Sequence, residues 1–405
     1  MIICRGIIYH KISEDFINLF YSLFKNLKDK KKINKFENDF KRFNQSSYCV
    51  SYPYARTALM SILTTEKNIN RGDEIIISAI QIKGMIDIIT NLGLKPIIVD
   101  LSKDNLSFDI QDLKKKISSR TKLILCTYLY GLVPELENVL KITKNKNIIL
   151  VEDFSQCLGG KYKNKIVGNF GDYGIYSLSA TKTLDTYGGG LLVTNKKKLY
   201  LKNLNFSKKL NKISRFFLFK KILLSFIRNL CSKKPIFFLV ISIFKILNFF
   251  NLNIYSKFIG SRDTTIIKDI PKNWLTNFTS LQAEYGTQLL KNVNSQNIMR
   301  IKNVNLIKKT LDKKFYFKTN NNSFNVYWQL AIKVKNSEFL RKKALKSNID
   351  IASPSIQLLS KVIKSSKIKN AKNIYKNLLL IPSYHTLKAH EITSIGRIIK
   401  SLCQK

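Results

Sequence analysis

The sequence predicts an α/β protein with a mostly parallel central sheet in a large domain and a smaller α+β domain at the carboxyl end. Three observations predict it. Short β-branched runs alternate with helical runs from about residue 74 to residue 153, a pattern typical of parallel strands covered by helices on both faces. After residue 290 the order of elements becomes mixed. A length of 405 residues with 45% hydrophobic composition fits a folded chain of about two domains.

The first predicted elements are amphipathic helices within residues 11–46, where apolar residues recur three and four positions apart. The predicted domains are an N-terminal helical extension at 1–32, a large domain at 33–290 and a small domain at 291–405. The opening MIICRGIIYH is followed at once by charged residues and contains no small-residue cleavage site. It is therefore not expected to be a signal peptide.

Strand–helix–strand units make up the large domain. EIIISAI and KPIIVDL flank the helical IKGMIDIITNLGL; FDIQDLKKKI then leads to TKLILCTYLY, and PELENVLKI leads to NIILVEDF. In such sheets ligands gather beyond the carboxyl ends of the strands, and Asp153 is predicted to stand at one of these ends. In the last third of the chain we predict one long helix across 280–311, a strand in NVYWQLAIKV, and helices near EFLRKKALKSN and ITSIGRIIKSL.

Residues 206–257 form a basic insertion that mixes bulky apolar residues with Lys and Arg and contains no Asp or Glu. Its longest uncharged run, PIFFLVISIF, is about half of the ~20 residues that a membrane-spanning helix needs. The pattern favours a cationic amphipathic element on an anionic membrane surface. Burial against the domain, or in a dimer interface, remains an open alternative.

The charge balance is extreme, with 70 basic and 26 acidic residues and a formal net charge of +44. Such a surplus indicates an anionic partner, although a composition biased towards Lys, Ile and Asn explains it equally well. No nucleic-acid-binding module accompanies the charge, so no nucleic-acid partner is expected. The six cysteines contain no CxxC pair and are typical of a reducing compartment. His10, His385 and His390 are too scattered to predict a metal site.

A lysine in the stretch SLSATKTLDTYGGG lies close in sequence to residues of complementary chemistry. An amine whose neutral form is accessible can form a covalent bond with an aldehyde, and Lys182 could provide this amine. A carboxylate such as Asp153 can keep a pyridine nitrogen protonated, and hydroxyls such as Ser177 can bind phosphate at a turn. A pyridoxal phosphate site requires all three. Taken singly, a lysine in such a stretch is more often solvated, an aspartate at a strand end is more often a helix cap, and a serine at a turn is more often an ordinary turn residue.

The stretch from residue 151 to residue 194 closely resembles the DegT/DnrJ/EryC1/StrS family of pyridoxal phosphate-dependent sugar aminotransferases. The family pattern is ED-x-x-Q, a G-x-x-G-D turn, S-x-x-x-x-K and a glycine pair. The residues that match it are Glu152, Asp153, Gln156, Gly168, Gly171, Asp172, Ser177, Lys182, Gly189 and Gly190. Similarity extends across about residues 33–200 and 272–402, which leaves the basic insertion outside it.

The resemblance implies the fold of pyridoxal phosphate-dependent transferases of fold type I and a cytoplasmic homodimer. It implies transfer of an amino group, with glutamate as the expected donor, to a nucleotide-linked keto-sugar in polysaccharide or glycan synthesis. Lys182 would carry the cofactor and move the substrate proton, and Asp153 would pair with the ring nitrogen. Gln156 would bond near the ring hydroxyl, and Ser177 would bind the phosphate.

The resemblance also places Ala55 and Arg56 at a turn whose backbone meets the cofactor phosphate. Ile82 falls where an aromatic ring usually stacks on the cofactor, and Leu275 falls near an Asn that often reaches the partner subunit's phosphate. Some family members replace the lysine with histidine and are dehydratases, which Lys182 argues against. The alternative reading is a non-catalytic or regulatory protein of the same fold that binds a membrane or a partner through its basic insertion.

Overall fold

The computed structural model of this chain describes residues 2–249, 264–354, 356–363 and 368–403. The end of the basic insertion, residues 250–257, therefore lies outside the described residues. Within the described part the fold is α/β.

A seven-stranded sheet forms the centre of the fold. The strands of the chain are β1 Tyr48–Tyr52, β2 Glu74–Ser78, β3 Ile80–Gln81, β4 Lys95–Val99, β5 Thr121–Thr127, β6 Ile149–Asp153, β7 Lys161–Tyr162, β8 Lys165–Ile166, β9 Tyr173–Ser177, β10 Gly190–Thr194, β11 Ser323–Phe324, β12 Leu330–Lys333, β13 Gln357–Leu358 and β14 Leu378–Ile381. The central sheet has the order β1-β10-β9-β6-β5-β2-β4. Strands β9, β6, β5, β2 and β4 are parallel, and β10 is antiparallel to both of its neighbours. The prediction of a mostly parallel sheet is confirmed.

Helices cover both faces of this sheet. The α-helices of the described residues, which include those of the smaller unit, are α1 Ile12–Phe24, α2 Lys30–Asn44, α3 Ala55–Thr65, α4 Lys83–Asn91, α5 Ile110–Lys116, α6 Glu137–Lys146, α7 Lys197–Lys208, α8 Arg215–Cys231, α9 Lys234–Phe249, α10 Ser280–Leu290, α11 Val293–Lys308, α12 Ser337–Lys346, α13 Lys369–Asn377 and α14 Ala389–Cys403. Successive residues of β2 show why the strands are apolar throughout. Ile75 and Ile77 pack in the cluster that contains α3 and α4, whereas Ile76 packs in the cluster that contains α2.

The last third of the chain forms a smaller α+β unit around the antiparallel pair β12–β14, packed with α11, α12 and α14. The single helix predicted across 280–311 is wrong, because α10 ends at Leu290 and α11 begins at Val293. The break contains Asn292, a residue type that favours helix starts over helix interiors. Ile3 also joins this unit through a bridge to Ile349. The domain boundaries stay a prediction.

The described part of the basic insertion folds largely as α8 and α9. Helix α8 lies against α1, and its Leu218 and Ile222 are fully buried in the core beside the sheet. Phe216, Leu224 and Ile227 of the same helix remain exposed. The insertion therefore packs partly on its own chain. In the part of the chain that the structure describes, every helix is too short or too polar to cross a bilayer.

Candidate active site

One cavity of about 270 Å³ brings together the seven residues predicted to be catalytic or to bind the cofactor. It opens where β5, β6 and β9 end and where α3 begins. The predicted residues that line it are Ala55, Arg56, Ile82, Asp153, Gln156, Ser177 and Lys182. Because the parallel strands end at the same edge of the sheet, residues far apart in sequence meet there. Their individual roles stay predictions.

Lys182 lies in the loop between β9 and β10, and the backbone before it is strained. Thr181 has φ +72°, an uncommon conformation for a β-branched residue. Its carbonyl accepts a hydrogen bond of 2.8 Å from Nε1 of Trp328, and Nζ of Lys182 lies 4.8 Å from the centre of a Trp328 ring. Burial lowers the pKa of Lys182 to about 8, although the negative charge of Asp153 opposes this change. A neutral amine is therefore accessible near physiological pH.

Asp153 is a buried carboxylate fixed at the end of β6. Its Oδ2 accepts a hydrogen bond of 3.2 Å from Nε2 of Gln81, and its Oδ1 accepts one of 3.2 Å from the backbone N–H of Ser155. Nε2 of Gln81 also lies 2.6 Å from Oγ1 of Thr127, at the end of β5. These contacts hold the carboxylate in the wall of the cavity that Lys182 also lines, and its negative charge stabilises the charged form of that lysine.

The neighbouring carboxylate of Glu152 has a different position and fixes the motif's glycine turn. Its oxygens accept hydrogen bonds from the backbone N–H groups of Gly168, Phe170 and Gly171, each at 2.6 or 2.7 Å. The hydroxyl of Tyr128 donates to it at 2.6 Å. Burial raises the pKa of Glu152, and these donors oppose that change. The distance in sequence between ED and G-x-x-G-D therefore allows the glutamate of ED to bind the backbone of the glycine turn.

The end of the cavity near the start of α3 provides groups suited to phosphate. The hydroxyl oxygens of Ser177 and Ser179 lie 2.9 Å apart, and both residues line the cavity together with Ala55, the first residue of α3. The first N–H groups of a helix lack partners within the helix and favour an anion. A Cβ on Gly190 would lie 2.2 Å from the backbone nitrogen of Ala55, so glycine there permits β10 to approach the helix start.

Arg56 adds a positive charge at this end. Its guanidinium lies 4.2 Å from the ring centre of Trp274 and 5.0 Å from that of Tyr54. Burial lowers its pKa. Arg56 forms no ion pair within the described residues. Leu275, where the family often has Asn, accepts a backbone hydrogen bond of 2.8 Å from Asn211 and follows Trp274 in the same short 3₁₀ turn.

Gln156 and Ile82 form part of the wall of the Lys182 cavity. Oε1 of Gln156 accepts a hydrogen bond of 2.7 Å from the backbone N–H of Tyr130, so the amide nitrogen of Gln156 is the group able to donate into the cavity. Ile82 precedes α4 and is half-buried. It offers only aliphatic contact where the family commonly has a ring.

Sequence reasoning missed several residues of the cavity, among them Gln81, Thr127, Thr181 and Trp328. Thr127 ends β5 of the parallel sheet, and Gln81 lies three residues beyond the end of β2, so the rule that ligands gather at carboxyl strand ends could have identified them. Trp328 comes from the smaller α+β unit, and no local sequence signal connects it with Lys182.

The residues present fit pyridoxal phosphate. The cavity combines a lysine with an accessible neutral form, a fixed carboxylate, paired hydroxyls and a helix start with an adjoining cation. An aldehyde, a pyridine nitrogen and a phosphate need these groups respectively.

Comparison with known proteins gives concordant results. Residues 11–212 match the model of the DegT/DnrJ/EryC1/StrS aminotransferase family. A GDP-perosamine synthase of Escherichia coli O157:H7 is 35% identical over 174 residues, which are 43% of this chain and 48% of that protein. A pleiotropic regulatory protein of Geobacillus stearothermophilus is 29% identical over 164 residues, which are 40% of this chain and 44% of that protein. The chain spans about half the length of the curated relatives it matches.

The fold is similar over the whole chain to that of a solved aminotransferase from Helicobacter pylori involved in the biosynthesis of pseudoaminic acid. The TM-score is 0.75, the identity is 18%, and the alignment covers 100% of both chains. The predicted fold, that of fold type I transferases, is confirmed, and the family match supports the predicted cofactor. Through residues 11–212, the chain belongs to the DegT/DnrJ/EryC1/StrS aminotransferase family.

Proposed function

We propose that this protein is a pyridoxal phosphate-dependent aminotransferase that moves an amino group from glutamate to a keto group on a nucleotide-linked sugar. Its place is in the synthesis of a cell-surface polysaccharide or glycan. One observation carries the proposal: Lys182, whose pKa is lowered to about 8, and the buried carboxylate of Asp153 line the same cavity. The similarity to a GDP-perosamine synthase supports a nucleotide-linked sugar as the substrate class.

Each residue has a distinct task in this proposal. When bound, pyridoxal phosphate supplies an aldehyde that combines with amines and a ring that withdraws electrons from the substrate carbon. Lys182 would bond to the aldehyde, and its Nζ would accept and return the proton of the substrate carbon in each half-reaction. Asp153 would hold the proton on the ring nitrogen. Ser177, with the start of α3, would hold the phosphate.

The experiment that tests this function follows the colour of the purified protein. After incubation with pyridoxal phosphate, we expect a yellow protein whose absorbance falls on addition of glutamate. Addition of GDP-, UDP- or dTDP-linked keto-sugars should restore it for the true acceptor and form the amino-sugar. A protein that stays colourless overturns the proposal and favours the regulatory alternative, which the name of the Geobacillus relative illustrates.

We also propose that the enzyme is a cytoplasmic homodimer, because the family resemblance implies that assembly and location. Light scattering of the purified protein should give twice the mass of one chain. The mass of a single chain would contradict the dimer.

Contact with an anionic membrane surface is a further part of the proposal, and the described part of the insertion, together with α1, supports it. Large apolar side chains are exposed on three helices: Phe16, Ile17, Phe20 and Phe24 on α1; Phe216, Leu224 and Ile227 on α8; and Phe238, Leu239 and Ile243 on α9. Exposed cations occur along the same segment, namely Lys208, Lys209, Lys212, Arg215, Lys220 and Lys233. Apolar insertion and attraction to anionic lipid would then act together.

We therefore expect the full-length protein to sediment with phosphatidylglycerol vesicles and much less with phosphatidylcholine vesicles. Replacing Phe216 and Leu224 with Ser should weaken binding about tenfold or more, since each apolar side chain that leaves water contributes about 1.5–3 kcal/mol. Phe339→Ser is the matched control, because Phe339 is exposed on α12, outside the insertion. Protein that stays in the supernatant with both kinds of vesicle contradicts this contact.

A further inference from the structure

A second cavity of about 330 Å³ adjoins the one that contains Lys182. It lies between residues 5–9, helix α8 of the insertion and the smaller α+β unit. Thr181 and Trp328 line both cavities. These two residues, joined by a hydrogen bond of 2.8 Å from the Trp328 indole to the Thr181 carbonyl, form a wall that the cavities share. The second cavity is therefore the neighbouring space for the remote part of an elongated ligand whose reacting group lies at Lys182.

The charges in the second cavity leave one cation without a counterion. Arg5 is paired with Asp350 by two hydrogen bonds of 2.6 and 2.7 Å, so their charges compensate each other. Arg228, on α8, is exposed and makes no ion pair or side-chain hydrogen bond to any residue between 2 and 249, 264 and 354, 356 and 363, or 368 and 403. The net charge of these groups is positive. An anionic ligand is therefore favoured here.

Two buried polar atoms of this cavity also lack partners in the described chain. Ser383 is 1% exposed, and its hydroxyl makes no hydrogen bond. Gln329 donates from its amide nitrogen to the carbonyl of Arg5 at 3.0 Å, but its Oε1 accepts nothing. A buried polar group without a partner costs free energy, and a ligand that supplies the partner removes that cost. The guanidinium and the hydroxyl can donate to an anion, whereas the amide oxygen of Gln329 can only accept from a donor group elsewhere on the same ligand.

From these contacts we infer that the second cavity binds the diphosphate of the nucleotide-linked substrate, with Arg228 and Ser383 as its ligands. Arg228 presents a planar fork that matches phosphate oxygens, and the Ser383 hydroxyl donates to the same group. The basic insertion thereby becomes part of the substrate site. The inference rests on the proposed function, because it assigns the acceptor's diphosphate to this cavity and leaves the amino-acid donor to the Lys182 cavity alone.

The test measures nucleotide affinity and the glutamate half-reaction separately, on full-length protein loaded with pyridoxal phosphate. Calorimetric titration with GDP, UDP and dTDP should show binding of at least one of them. Arg228→Ala should weaken that binding about 10- to 100-fold, the size of a charged hydrogen bond, and Arg228→Lys should weaken it less. The rate at which glutamate removes the yellow colour should not change in Arg228→Ala.

Two further variants separate a ligand contact from general effects. Lys220→Ala removes the same charge from the same helix, where Lys220 is exposed and contacts the ring of Phe216, and it should change the affinity by less than about twofold. Ser383→Ala should weaken nucleotide binding severalfold and leave the melting temperature unchanged or raised, since the hydroxyl has no partner to lose.

Distinct results would overturn the inference. They are the absence of nucleoside diphosphate binding in the natural protein, equal weakening by Lys220→Ala, unchanged affinity in Arg228→Ala, or an Arg228→Ala effect confined to the glutamate step. A yellow protein that transfers amino groups but shows any of these results contradicts only the diphosphate site. A colourless protein contradicts the proposed function itself.

Discussion

Replacing Lys182 with alanine is expected to abolish covalent attachment of pyridoxal phosphate and to lower the rate of amino transfer at least about 10³-fold. The variant removes both the amine that bonds to the aldehyde and the group that moves the substrate proton. Absorbance after gel filtration measures the attachment, and amino-sugar formation measures the rate. The fold should persist, because Lys182 makes no ion pair in the described chain and its burial already disfavours its charge.

Lys221 provides a matched control. Burial lowers the pKa of Lys221 to about 8 as well, but its Nζ lies 4.5 Å from the ring centre of Tyr54 and it does not line the Lys182 cavity. Lys221→Met should remain yellow and responsive to glutamate. If Lys182→Ala stays yellow and active while Lys221→Met loses both properties, the assignment of the lysine is wrong.

Replacing Asp153 with asparagine is expected to lower turnover about 10²- to 10³-fold, the loss typical of removing one preorganised electrostatic partner. The same change should move the pKa of Lys182 below about 8, since the carboxylate of Asp153 favours the charged form of the lysine. Attachment of the cofactor needs the neutral amine, so its rate should rise with pH and level off above the pKa of Lys182. In Asp153→Asn this plateau should begin at a lower pH.

Near neutral pH, Asp153→Asn should therefore change two rates in opposite directions. The rate of cofactor attachment should rise, and the rate of turnover should fall. Stopped-flow absorbance across pH 6–10 and steady-state rates on the same preparations measure both. A merely structural role for Asp153 would instead lower the melting temperature and leave the pH midpoint in place. Unchanged turnover together with an unchanged midpoint would contradict the role proposed for this carboxylate.

Much of the site could be predicted because it is local in sequence. Asp153 ends β6, Ser177 ends β9, and Lys182 follows in the next loop; because β6 and β9 are parallel neighbours, all three lie at one edge of the sheet. The resemblance to a known family added Ala55, Arg56 and Ile82, and the cavity contains all of them. The chemistry of the lysine depends on burial, which the fold provides and which no single residue encodes.

The remaining features depend on long-range packing, and the sequence contains little signal for them. Amphipathic periodicity predicts helices in the insertion, but it does not show that α8 lies against α1 and places Arg228 beside a second cavity. Trp328 is separated from Lys182 by more than a hundred residues, yet its indole bonds to the carbonyl of Thr181. The break at Asn292 illustrates the limit of periodicity alone, since two buried apolar residues three positions apart, Leu290 and Val293, lie on either side of it.

The most direct test of the central claim is to locate the covalent bond between cofactor and protein. Borohydride reduction of the yellow protein, followed by protease digestion and mass spectrometry, should place the pyridoxyl mass on the peptide that contains Lys182 and on no other. A label on a different lysine, such as Lys221, or the absence of any label would contradict the account.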